Sequence, residues 1–217
     1  PRFVVCYQAT DLIKHHPHTL DTASMLIGDP KSVWVEGRLV EPDSEAGRAV
    51  GRLGPPDGKT GVRGPLLSPV YDPKGHRFVP PDGQEIADPL VDFFRVGYEN
   101  GVEGIFIPSK GGWSIEVHGT EGHAYAWEQQ GVYRVRKGAG KNSKVEVQEI
   151  TPTGYSPTVN AVRDIVNELD TGERTRGNID VTMQIVEPEF AIAYSSLQDG
   201  RRVTIPVEDR SLYIPGG

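Results

Sequence analysis

Six stretches of strand length follow one another between Val91 and Ile150, and a chain carrying such a series has to pair them into a sheet. They read VDFFRVGY, VEGIFIP, WSIEVHG, HAYAWEQ, GVYRVRK and KVEVQEI, with turn formers between them. Glu99-Asn100-Gly101 is a strong hairpin signal, because Asn-Gly takes the positive φ of a tight turn at little cost. Ile115 and Val117 alternate with Glu116 and His118, so one face of the sheet is buried and the other less apolar. The spacing predicts an antiparallel meander.

What flanks the meander sets the fold class. Phe3 to Gln8 is a β-branched and aromatic run, read as a strand. Leu20, Ala23, Leu26 and Ile27 recur at helical spacing, with Gly28 as the C′ residue and Pro17 in the first turn. Val33 to Val40 reads as a second strand. The interval from Glu41 to Leu90 holds 9 of the 18 prolines and eight glycines, which predicts a long loop insertion over 41–90. Ser156-Pro157 is an N-cap and N1 pair, followed by the apolar stripe Val159, Val162, Ile165, Val166 and Leu169 and by Gly172. A last helix carries Ile185, Val186, Ile192, Ala193 and Leu197, with Pro188 inside it and Gly200 at its end, before a final strand, RRVTIPV. The order predicts an α+β fold: a large, mostly antiparallel open sheet with helices gathered on one face. Residues 1–217 form a single domain in this reading.

Composition excludes several classes. With 36% hydrophobic and 24% charged residues the chain has the make-up of a soluble globular protein. No apolar run approaches the roughly 20 residues of a membrane span. The net charge is −7, and the 23 Lys and Arg form no block suited to nucleic acid. Cys6 is the lone cysteine, which rules out an intrachain disulfide or a cysteine zinc cage and fits a cytoplasmic setting. A strand at the very first residues suggests a chain that starts in the middle of something larger.

Two glycine-rich runs imitate nucleotide loops. GPPDGKT has Leu53 where a phosphate loop needs its first glycine, and GAGKNS lacks the third glycine of a dinucleotide fingerprint. Neither would hold a pyrophosphate. Cys6 has the character of a small buried apolar residue. The run KHHPHTLD, Lys14 to Asp21, has three readings. His16, His18 and Asp21 suit Zn or Mn; the side chains could instead cap a helix in solvent; or Lys14, His18 and Asp21, sharing one helical face, form a proton-transfer site.

HTLDTASMLIGDP, YENGVEGIF, IEVHGTEGHAYAW and YSSLQDGRRVTIPV, in that order, resemble the C-terminal domain of the Gfo/Idh/MocA oxidoreductases, from about Phe3 to Val207 with 41–90 as the divergent part. The resemblance implies a sheet like the C-terminal domain of glyceraldehyde-3-phosphate dehydrogenase. It also implies a preceding Rossmann domain, absent from this chain, that binds NAD or NADP and carries a Lys-Pro motif. The activity implied is hydride transfer at a CH–OH group of a sugar or polyol, with no metal, in a homodimer or homotetramer built through the sheet face. It gives the acid/base role to His18. The family's pattern is Asp-x-Gly-x-His; here Lys14 stands at the Asp position and His16 at the Gly position, so Lys14 becomes the group that polarises the substrate oxygen. His15 and Asp21, with Tyr7 and Gln8 at the end of the first strand, are the expected substrate contacts. The other two readings are a non-catalytic binding or assembly module, and a metal-dependent lyase or isomerase built on His15, His16 and His18.

Overall fold

The apolar run at the start of the chain forms β1 (Phe3–Gln8), and it lies in the middle of the sheet. The computed structural model describes residues 1–8, 11–40, 70–72, 77–79, 88–109, 113–127, 132–138, 141, 143–149 and 156–208. The further strands are β2 (Ser32–Leu39), β3 (Val70–Asp72), β4 (Arg77–Val79), β5 (Val91–Tyr98), β6 (Glu103–Pro108), β7 (Ser114–His118), β8 (Gly122–Trp127), β9 (Val132–Lys137), β10 (Lys144–Glu149) and β11 (Val203–Thr204). Nine of them pair in the order β10-β9-β8-β7-β1-β6-β5-β2-β11, while β3 and β4 pair with each other. Those two strands fall inside the interval expected to be loop; the rest of that interval, and the tail beyond residue 208, lie outside the described residues.

The expected uninterrupted meander is corrected at one point. β1 sits between β6 and β7, parallel to β6 with Val5 opposite Ile105, and antiparallel to β7 with Val5 opposite Glu116. The physical reason is in its composition. Val4 and Cys6 are wholly buried, and a short apolar strand at a sheet edge would leave them and its unpaired backbone groups in water.

Alternation along the strands assigns the faces. Val4, Cys6, Val35, Phe94, Val96, Phe106 and Ile115 make the core beneath the helices, with the Phe94 and Phe106 rings stacked at 4.3 Å. The opposite face carries Phe3, Trp34, Arg95, Glu116, Tyr125, Arg134 and Val145. There Gly97 leaves room for the Trp34 ring: a Cβ at that position would meet the indole at 2.0 Å. The Arg202 guanidinium covers the ring from the other side at 3.6 Å from its centroid.

Helix α1 (Leu12–Leu26) starts five residues before Pro17, so the proline lies inside the helix rather than in its first turn. The cause is remote in sequence. The Asp88 carboxylate accepts hydrogen bonds from the Ile13 and Lys14 N–H groups at 2.9 and 2.8 Å, and the Pro89 carbonyl accepts from Leu12 N–H at 2.9 Å. These acceptors satisfy donors that a helix start leaves orphaned, and they allow the helix to begin early. Beside them Val40 N–H donates to the Leu90 carbonyl at 2.7 Å.

Helix α2 (Pro157–Thr171) has the expected ends: Ser156 Oγ accepts from Val159 N–H at 3.2 Å, and Gly172 closes it in the left-handed region at φ 75°. Its apolar stripe faces outward, however; Leu169 is 79% exposed and Val162, Ile165 and Val166 about half. The helices covering the sheet are therefore α1 and α3 (Ile179–Leu197), and α3 holds Pro188 in its interior as expected. From α3, Ser195 Oγ accepts from Gly37 N–H and Ser196 Oγ from Leu39 N–H, so β2 gains hydroxyl acceptors where the two-residue β11 gives it no partner.

Replacing Asp88 by Ala should destabilise the fold by about 1–2 kcal/mol through loss of the cap. A urea midpoint unchanged from the wild type would show that α1 starts without it.

Candidate active site on helix α1

A helical period of 3.6 residues separates the histidines of KHHPHTLD. Lys14 and His18 are exposed on one side of α1, and His15 beside them keeps 27% of its side chain in solvent. His16 points the other way. It is completely buried, edge-on to Phe94 with ring centroids 5.1 Å apart. Burial, and then the neighbouring His15, push its pKa down to about 3, so the ring is neutral in the core. The three imidazoles diverge, and among the described residues no three His, Cys, Asp or Glu side chains could hold a metal ion. That geometry removes the ground for the lyase reading.

His15 has a partner. Its Nδ1 lies 2.8 Å from the Asp11 carboxylate, one helical turn earlier, and only 10% of the Asp11 side chain is exposed. Gln8 is buried on the helix side of β1, its Nε2 donating to the His15 carbonyl at 3.5 Å. His18 makes no side-chain hydrogen bond among the described residues; its ring lies 6.5 Å from that of Trp113 in the approach to β7. The structure thus brings Asp11, Lys14, His15, His18 and Gln8 to the first turns of one helix.

Two expected contacts lie elsewhere. Tyr7 follows the alternation of β1 onto the helix-free face, opposite Ser114, where burial and then the Glu116 and Tyr125 charges raise its pKa. Asp21 accepts from Arg176 Nη1 at 2.7 Å, and the same guanidinium holds Asp29 at 2.7 and 2.9 Å. This ties the C-terminal half of α1 to the loop before α3. Sequence reasoning missed Asp11, Asp88, Trp113 and Glu189. The spacing of Asp11 and His15, four apart at a helix start, was a usable signal; Asp88 and Glu189 had none.

None of the three described helix starts is open to a pyrophosphate. Asp88 occupies the first, Ser156 caps the second, and Asn178 caps the third with Asp180 in its first turn. The described residues therefore do not fit a dinucleotide.

No protein-family model matches this chain, and no curated protein does. Solved structures do. An NAD-binding oxidoreductase from Klebsiella pneumoniae matches with TM-score 0.63 and 16% identity, over 96% of this chain and 60% of that one. A UDP-N-acetylglucosamine 3-dehydrogenase from Acidithiobacillus ferrooxidans matches with TM-score 0.60 and 10% identity, over 90% and 54%. An oxidoreductase from Agrobacterium radiobacter, in complex with NAD+, L-tartaric acid and magnesium, matches with TM-score 0.59 and 15% identity, over 94% and 57%. The chain spans somewhat over half the length of these structures and shares their fold across that part.

Glu189 supplies a pH test. It is 2% exposed, and its Oε1 has no hydrogen-bond partner. Burial, and then the Asp88 charge, raise its pKa to about 9. The native state keeps the proton that the unfolded chain loses near the ordinary value of 4.5, so stability falls as pH rises between those values. The slope from this group approaches about 1.4 kcal/mol per pH unit. Glu189→Gln should remove that slope, its advantage over the wild type growing from pH 5 to 9 in urea titrations. Parallel curves for the two proteins would show an ionised Glu189.

Proposed function

We propose that this chain is the substrate-handling part of an NAD(P)-dependent oxidoreductase of the Gfo/Idh/MocA type, acting on a CH–OH group of a sugar or polyol. The observation that carries the reading is the agreement of fold, over nine-tenths or more of this chain, with NAD-binding oxidoreductases that include a sugar-nucleotide dehydrogenase. A patch of imidazole and ammonium groups on α1 supplies chemistry suited to a hydroxyl substrate. Residues 1–217 act as one substrate-binding and assembly domain, its sheet of the glyceraldehyde-3-phosphate dehydrogenase kind, working in the cytoplasm. A separate Rossmann unit holds NAD or NADP, whose nicotinamide takes or gives the hydride. On α1, Lys14 polarises the substrate oxygen, an imidazole moves its proton, and His18 and Gln8 line the approach.

The helix-free face of the sheet is the surface for a second copy. It carries Phe3, Phe93, Val145 and Val147, each more than a third exposed, beside a groove of about 420 Å³ between Glu116, Tyr125, Arg134 and Arg136. Apolar side chains gathered on one sheet face are suited to a two-fold interface.

Joined to its nucleotide-binding unit, the protein should reduce NAD+ or NADP+ with at least one member of a sugar and polyol panel. No turnover with any of them, despite bound dinucleotide, would leave a non-catalytic module. The 217-residue chain by itself should not quench or enhance NAD(P)H fluorescence, since none of its described helix starts can take the pyrophosphate. Light scattering at tens of micromolar should give at least twice the 23.7 kDa chain mass. A monomer would leave the open face to another cover.

A further inference from the structure

The resemblance points to His18 as the proton carrier, yet the carboxylate–imidazole pair on this helix is elsewhere. We infer that His15, oriented by Asp11, is the general base that takes the substrate hydroxyl proton, with His18 as a substrate contact beside it. The inference rests on the oxidoreductase reading above and names the group that serves it.

The geometry separates the two imidazoles. His15 Nδ1 is 2.8 Å from an Asp11 oxygen whose side chain is nine-tenths buried, while His15 itself stays part-exposed. A carboxylate accepts and does not donate, so the proton of the neutral ring is held on Nδ1 and the lone pair is left on Nε2. That is the tautomer a base needs, and the buried partner also fixes the plane of the ring. His18 has no such partner among the described residues, its nearest ring neighbour being Trp113 at 6.5 Å. His16 is excluded by its burial against Phe94.

The backbone beneath the pair is held equally well. Asp88 binds the N–H groups of Ile13 and Lys14, and Gln8 donates to the carbonyl of His15. Both ends of the pair are therefore fixed to the sheet side of the molecule before any substrate arrives. In the step assigned here, the hydroxyl O–H bond breaks and its proton forms an N–H bond at His15 Nε2. The electron pair stays on the substrate oxygen beside Lys14, and the imidazolium keeps its Nδ1–H on Asp11. Asp11 is a positioning residue and remains ionised throughout.

The test uses the protein joined to its nucleotide-binding unit, with histidine-selective ¹⁵N labelling. His15 should show the Nδ1–H tautomer, and Asp11→Asn should shift it towards Nε2–H while the fold stays intact by circular dichroism. His15→Ala should lower kcat by about 10²–10⁴-fold, and Asp11→Asn by about 10–100-fold. His18→Ala should act chiefly on KM. An Nε2–H tautomer of His15 in the wild type overturns the inference without any turnover measurement. So does an active wild type in which His15→Ala keeps kcat within about 3-fold while His18→Ala loses more than 10²-fold. That result leaves the oxidoreductase reading standing. A wild type that binds dinucleotide but turns over no CH–OH substrate overturns the reading, and the inference with it.

Discussion

The carboxylate of Asp88 on the first turn of α1 is the contact from which the arrangement of the helix follows. Two N–H groups that would otherwise need water are satisfied from a residue some 75 positions away. The helix consequently starts at Leu12, five residues ahead of Pro17, and its rotation about its own axis is set there. Rotation decides everything downstream: His16 enters the core against Phe94, while Lys14, His15 and His18 stay on the side open to solvent. Had α1 begun at Pro17, Asp11 and His15 would be loop residues with no fixed relation to each other.

The interior around that contact is under electrostatic load. Asp88 is itself partly desolvated, which raises its pKa against the lowering effect of the two N–H bonds. Behind it Glu189 is buried in its neutral form. A neutral carboxyl next to an ionised one avoids placing two like charges in a low-dielectric interior, where their repulsion would be severe. His16, neutral for the same reason of burial, completes a polar layer between helix and sheet that carries little net charge.

Local signals in the sequence located most elements and failed where the determinant was distant. Ser156, Gly172, Gly28 and the Asn100-Gly101 turn act within a few residues of themselves, and the helices and hairpin end where they predict. The six strands of the meander are present for the same reason: alternation is a property of each strand alone. Strand order is not such a property. Nothing within residues 103–118 reveals that β1 inserts between β6 and β7. The stripe on α2 was correctly read as a stripe, but burial depends on what faces it, and the described residues place nothing over Leu169. At the candidate site the exposed cluster was legible from spacing, whereas the split of Tyr7 from Gln8 follows only from the two-residue period of a strand. The engagement of Asp21 by Arg176 joins residues 155 apart.

The bond from Val40 N–H to the Leu90 carbonyl has a consequence for how the chain can be altered. It closes the two ends of the Pro/Gly-rich interval on each other at the rim of the sheet, next to the bridge between Asp11 and Leu90. In polymer terms the interval is a closed ring hung from one knot, and doubling its length adds only about 0.6 kcal/mol to the cost of closure. A reporter domain with neighbouring termini could be spliced into it without moving a strand. Because Asp88 stands at the downstream side of the knot, a force on such a graft would reach the first turn of α1 directly, making this junction a natural mechanical input to the helix that carries Asp11 and His15.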